Sequence, residues 1–218
     1  MKTKTPKTFP YYPVFLKIHG ERCVVVGGGK VALRKVKTLL DCGGEVTVVS
    51  PHVGPGLAAL ARKKSIHLIR RSYRKGDLAG ATIVIAATDR QEINCRIAEV
   101  ARKAGGLVNV VDDSGPSSFI IPSYFRSGSL TLAVSTGGES PALARKIRTK
   151  LQKDFGKNYA ALLSLIGKTR SALKERGIRI NARRWQEALD LEPLTRLLRA
   201  GKRKEAERIL LRKLTGRL

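Results

Sequence analysis

Hydrophobic positions along the first half of the chain switch between two periods. Short runs rich in β-branched residues occur at residues 23–26, 45–50, 66–70, 81–87 and 107–112. Their length and continuous apolar character predict buried parallel strands. Between them, helical spacing runs from Lys30 to Leu40, over residues 56–64 and over residues 92–104. The first and last of these stop at Gly43-Gly44 and Gly105-Gly106. Strands alternating with helices predict an α/β fold, a Rossmann-like doubly wound parallel sheet.

The pattern then changes. Residues 116–129 are rich in Ser, Pro and Gly, and residues 130–135 alternate as a strand. Thr136-Gly137-Gly138-Glu139-Ser140-Pro141 follows, with Ser140 suited to cap a helix and Pro141 to begin it. From about Lys150 the spacing is helical, broken at Gly177, Pro193 and Gly201. This divides the chain into a Rossmann domain over 1–115, a strand and helix segment over 116–150, and a C-terminal helical domain over 151–218.

Composition narrows the class. The chain has 218 residues, 42% hydrophobic and 28% charged, which is globular. The longest apolar run, residues 81–87, falls far short of the roughly 20 residues a membrane helix needs. The basic N-terminus lacks the apolar stretch of a secretory signal, so a soluble cytoplasmic protein is expected. Cys23, Cys42 and Cys95 are scattered and the three histidines have no ligand spacing, so neither a disulfide framework nor a metal site is expected.

The net charge of +26 invites a nucleic-acid reading. The excess is spread, however, at +15 over residues 1–150 and +11 over 151–218, with no basic arm and no base-reading motif. Diffuse positive charge attracts polyanions without naming one.

Gly27-Gly28-Gly29-Lys30-Val31-Ala32 fits G-x-G-x-x-A between a strand and a helix, the setting a dinucleotide fingerprint requires. Gly27 permits the tight turn, Gly29 the approach of a pyrophosphate, and Ala32 close helix–strand packing. The amides near Lys30 and Val31 would face the phosphates. The acid that usually binds the adenosine ribose is missing: the second strand ends in Ser50-Pro51-His52. No Arg follows immediately, so this position does not decide between NAD and NADP. The strand ends carry Gly27, Ser50, Thr88 and Asp112. Asp112 is either a proton-transfer carboxylate or a turn residue. The Ser140 helix start is a second candidate anion site.

Several stretches together resemble the precorrin-2 dehydrogenase/sirohydrochlorin ferrochelatase family, the dehydrogenase portion of siroheme synthase. They are Tyr12-Pro-Val-Phe-Leu-Lys-Ile, Val24-Val-Val-Gly-Gly-Gly-Lys-Val-Ala-Leu-Arg-Lys, Ala86-Ala-Thr-Asp with Asn94, Val108-Asn-Val-Val-Asp-Asp113, Ser118-Phe-Ile-Ile-Pro122, and Val134-Ser-Thr-Gly-Gly-Glu-Ser-Pro-Ala-Leu-Ala-Arg145. The likeness spans roughly residues 10–150.

It implies NAD-dependent oxidation of precorrin-2 to sirohydrochlorin and, in some members, insertion of ferrous iron to give siroheme. By the resemblance, Gly27, Gly28, Gly29, Lys30, Val31, Pro51 and His52 face the cofactor, and Ser50 and Thr88 join them from their strand ends. Asp112 is the catalytic acid–base group, with iron passing near it only transiently. Asn109, Thr136, Gly137, Gly138 and Ser140 face a tetrapyrrole substrate, whose carboxylates would explain the positive charge. A homodimer built through residues 116–150 is also implied. Two other classes stay open at this point: a non-catalytic NAD(H)-sensing Rossmann module and a basic nucleic-acid binder.

Overall fold

The computed structural model describes residues 10–216, so the first nine residues of the N-terminal stretch weighed above as a signal lie outside it. The chain forms two compact units that meet in sequence at Ile121 and Pro122.

In the first unit five parallel strands are ordered β3-β2-β1-β4-β5. They are β1 (Arg22–Val26), β2 (Glu45–Val49), β3 (His67–Ile69), β4 (Ile83–Ala86) and β5 (Leu107–Val110). Helices α1 (Lys30–Asp41), α2 (Pro55–Arg62) and α3 (Gln91–Lys103) connect them, with a short 3-10 helix at Lys75–Leu78.

Strand alternation builds a core on each face. Cys23 and Val25 of β1 join Val46, Val48, Ile83 and Ile85 under Ala32, Val36 and Leu39 of α1 and Leu57 of α2. Val24 and Val26 join Val49, Val84, Ala86, Val108 and Val110 under Ile97, Ala98 and Ala101 of α3. Because both faces are covered, the central strands read in sequence as unbroken apolar runs.

The strand expected over residues 107–112 ends at Val110. Asp112 has φ +60, a left-handed conformation that no extended strand contains. Beyond it, Ser117 and Ser118 cover the outer edge of β5. The Ser117 hydroxyl accepts from the Val110 amide at 2.9 Å, and that of Ser118 from the Val108 amide at 2.7 Å. The Ser118 amide donates to the Val108 carbonyl at 2.8 Å. Hydroxyls thus satisfy groups that a sixth strand would otherwise pair.

The second unit opens with a hairpin of β6 (Ser123–Ser127) and β7 (Leu130–Val134), turning through Gly128 at φ +59. β6 falls inside the stretch read from sequence only as Ser, Pro and Gly-rich. Its residues Ser-Tyr-Phe-Arg-Ser bury only Phe125, which leaves too weak an apolar pattern to call a strand. Five helices follow: α4 (Pro141–Phe155), α5 (Lys157–Glu175), α6 (Ala182–Ala188), α7 (Leu191–Arg199) and α8 (Arg203–Thr215). Leu162, Leu165, Leu173, Ala188, Leu194, Ala206, Leu210 and Leu214 form a core among the last four of these.

Candidate dinucleotide site and its acid

Three strand ends converge on the glycine turn. Gly27 has φ +128 and donates its amide to the Val49 carbonyl at 3.0 Å. A Cβ there would collide with the carbonyl of Ala87 and lie 3.3 Å from the Thr88 amide. Gly28 is as tightly placed: a Cβ would collide with the His52 carbonyl and lie 2.7 Å from the Ser50 hydroxyl. The Gly28 carbonyl also accepts from the Gly54 amide at 3.0 Å. The turn is therefore wedged between the loops that follow β2 and β4.

Gly29 differs. A Cβ on it would meet nothing within 4 Å, and its φ of −84 suits any residue. Nothing in the protein requires a glycine here, whereas a pyrophosphate lying against the turn would. Gly29 caps α1 without a side-chain hydrogen bond, and the first turn of α1 has no acid. Its leading amides are thus left for an anion. By contrast, α4 begins under the Ser140 hydroxyl, which accepts from the Leu143 amide at 3.2 Å. The residues at α1 fit a dinucleotide.

Ser50 is buried, and its hydroxyl donates to the His52 carbonyl at 2.7 Å, tightening the turn that carries Pro51 and His52. Lys30, Pro51 and His52 are exposed at this edge and Val31 is half-buried. Thr88 is fixed by Asn94 of α3. The Asn94 Oδ1 accepts from the Thr88 hydroxyl at 2.7 Å and its amide at 3.2 Å, while Nδ2 donates to the Thr88 carbonyl at 3.0 Å. Asn94, which enters from sequence only as a residue of the family likeness, is a buried amide on a helix otherwise packed through Ile97, Ala98 and Ala101.

The adjacent acids Asp112 and Asp113 have different surroundings. The Asp113 carboxylate accepts from the Gly115 amide at 3.0 Å and from Gln91 Nε2 at 3.4 Å, so it shapes the turn. The exposed Asp112 carboxylate has no hydrogen bond or ion pair among the described residues. Its left-handed backbone is of the kind that clusters at functional sites. Lys35, half-buried on α1, shares its electrostatic field. Burial first, then Arg34, pushes the Lys35 ammonium below the usual lysine range, and Asp112 opposes that shift. Lys35 occupies an otherwise apolar row with Val31 and Leu39, the one sequence signal that marks it.

Asn109 is buried in β5, and its Nδ2 donates to the Phe119 carbonyl at 3.1 Å, which pins the segment after the turn. Thr136, Gly137, Gly138 and Ser140 lie together in the second unit. The Thr136 hydroxyl accepts from the Ser140 amide at 3.1 Å, across two glycines with φ +66 and +97. No group of three or more metal-ligating side chains occurs among the described residues, and none of their helices is long and apolar enough to cross a membrane.

A parallel sheet ordered 3-2-1-4-5, with a glycine turn between β1 and an uncapped α1, defines a Rossmann-type dinucleotide-binding protein. Residues 14–123 match a family described as putative NAD(P)-binding, and residues 127–153 match the sirohaem biosynthesis protein central family. The chain belongs to this NAD(P)-binding family. It is 38% identical over 201 residues to siroheme synthase 1 of Aeromonas salmonicida, covering 91% of this chain and 43% of that protein. Siroheme synthase of Pseudomonas putida (strain F1) is 40% identical over 201 residues, 92% of this chain and 43% of that one. The chain thus spans about two fifths of the length of these relatives. Among solved structures, SirC, precorrin-2 dehydrogenase, superposes with a TM-score of 0.72 at 27% identity, covering 95% of this chain and all of that one.

Proposed function

We propose that the chain is a precorrin-2 dehydrogenase that oxidises precorrin-2 to sirohydrochlorin with a nicotinamide cofactor, NAD in the first instance. The observation that carries this reading is the uncommitted, left-handed Asp112 at the edge that also bears the open Gly29 and the uncapped α1. The superposition on SirC over nearly the whole chain supports it.

Gly29 and the amides of Lys30 and Val31 hold the pyrophosphate. Ser50, Pro51 and His52 face the adenosine end, and Thr88, locked by Asn94, walls the cleft between β1 and β4. When bound, the cofactor accepts a hydride from the substrate. The accompanying proton passes to the Asp112 carboxylate, which has no other partner to release first.

The same carboxylate would accept pyrrole protons if ferrous iron enters sirohydrochlorin, so Fe2+ is here a second substrate. Asn109 acts by fixing the Phe119 segment. In the second unit the Thr136–Ser140 turn is the proposed seat for a substrate carboxylate, and the β6–β7 hairpin with α4 the proposed surface of a homodimer. A cytoplasmic setting suits this chemistry.

Anaerobic incubation with precorrin-2 and NAD, with and without Fe2+, tests the reading. Reduction of NAD with formation of sirohydrochlorin is expected. Cofactor binding without turnover would point instead to a sensing module, and tight salt-resistant binding of random DNA to a nucleic-acid protein.

A further inference from the structure

Residues 151–218 carry a net charge of +11 that the dinucleotide site does not use. Part of it gathers where α5 ends. Gly177 has φ +70, a left-handed turn that favours glycine, and the Ile178 amide donates to the Leu173 carbonyl at 2.9 Å. The chain therefore folds back along the last turn of α5. Asn181 then opens α6, its side chain accepting from the Arg184 amide at 2.8 Å. Between these two fixed points runs a groove of about 610 Å³, within the range of about 300–1,000 Å³ typical of small-molecule sites.

The half-buried Trp185 and Ile180, with Ile178, supply its apolar wall, and Arg170, Lys174 and Arg179 supply its charge. The Arg170 guanidinium sits over the Trp185 ring, 5.9 Å from the centroid. Indole and guanidinium are both planar groups on which a flat π system stacks. Lys174 and Arg179 are exposed, with no hydrogen bond or ion pair among the described residues. The acid of the neighbouring helix is already engaged: Glu187 pairs with Arg183 at 2.9 Å and with Arg184 at 4.0 Å. Glu175, the last residue of α5, is not part of the lining. Three cations thus border one concave aromatic surface, with no acid among the described residues that line it.

We propose that this groove binds a flat aromatic polyanion, its ring against Trp185 and Arg170 and its anionic groups on Lys174 and Arg179. Two sources have that chemistry: a tetrapyrrole with its carboxylates, and a nucleotide with its phosphates. All the residues involved belong to the second unit, and the site stands whether or not the chain oxidises precorrin-2.

Trp185 is the only tryptophan in the chain, so its emission reports on this groove. The full chain is titrated with sirohydrochlorin and, separately, with ATP at physiological salt. Saturable quenching by at least one of them is expected, and the one that quenches identifies the source. Lys174→Gln combined with Arg179→Gln should weaken that ligand about tenfold or more. Both side chains are exposed and unpaired, so the double variant should melt with the parent and keep its affinity for NAD. Citrate, a polyanion without a ring, should not displace the ligand at matched ionic strength. Absence of saturable quenching by either ligand overturns the assignment. So does quenching that survives the double substitution, since energy transfer to a tetrapyrrole bound elsewhere would do so. Displacement by citrate overturns the aromatic class and leaves a general anion patch.

Discussion

Asn94 grips Thr88 from both sides, accepting from its amide and hydroxyl and donating to its carbonyl. One buried side chain on α3 thereby sets the backbone at the end of β4, against which Gly27 is wedged. Asn94→Ala leaves three polar groups of Thr88 without this partner. A loss of about 2 kcal/mol is expected in urea unfolding. Cofactor affinity should fall as well, since the cleft wall moves. Unchanged dinucleotide affinity in a folded Asn94→Ala protein would show that Thr88 does not bound the site.

The glycines of the turn should separate stability from binding. Gly28→Ala drives a methyl group into the His52 carbonyl, and backbone cannot yield as a side-chain tip can. A destabilisation of about 1–3 kcal/mol is expected. Gly29→Ala enters open space at an ordinary φ, so its effect on folding should stay below about 1 kcal/mol. Its methyl group instead occupies the proposed place of the pyrophosphate, and dinucleotide affinity should drop at least about tenfold. Thermal melts beside calorimetric titrations distinguish the two patterns.

That contrast also marks what the sequence could reveal. The apolar runs of β1, β2 and β4 are legible because a sheet covered on both faces leaves no polar alternation to confuse them. The glycine fingerprint is legible as a motif, but its division of labour is not, since the contacts of Gly28 come from a loop more than twenty residues later. The apolar run over residues 107–112 places Asp112 at a strand end. It is in fact two residues past β5, in a left-handed turn, and a run of apolar letters carries no record of φ. β6 is not legible because its strand residues are mostly polar. The bond from the Ser50 amide to the Ile69 carbonyl needs strand order and register, which no local pattern contains.

The Arg71–Asp77 pair predicts a specific pH response. The Arg71 hydrogen bonds, working against burial and aided by the Arg74 amide, hold the Asp77 carboxyl below its ordinary value of 3.8. A carboxylate with a folded pKa below its unfolded one adds stability above the unfolded value and loses it as pH falls through the folded one. Asp77→Asn should therefore reduce unfolding free energy at pH 7, and the gap to the parent should narrow progressively below about pH 4. Arg71→Ala, which strands a buried carboxylate, should also lower stability at neutral pH. Denaturant unfolding from pH 3 to pH 7 measures both. A gap that stays constant across the range would show that the pair is not coupled to folding.

Asp112 offers the sharpest separation of structure from chemistry. A non-glycine residue at φ +60 costs the fold about 1 kcal/mol relative to a relaxed backbone. The exposed carboxylate returns nothing through hydrogen bonds or ion pairs. Asp112→Gly should therefore fold without loss of stability, and gain up to about 1 kcal/mol as the strain is relieved. The same change removes the proposed base, so precorrin-2 oxidation should slow by at least about 100-fold while dinucleotide affinity is preserved. Asp112→Asn tolerates the left-handed turn equally well and keeps the side-chain shape, so it isolates the charge. It should match Asp112→Gly in lost turnover and the parent protein in stability. If either variant retained full turnover, Asp112 would be a turn residue and the proton acceptor would have to be sought elsewhere.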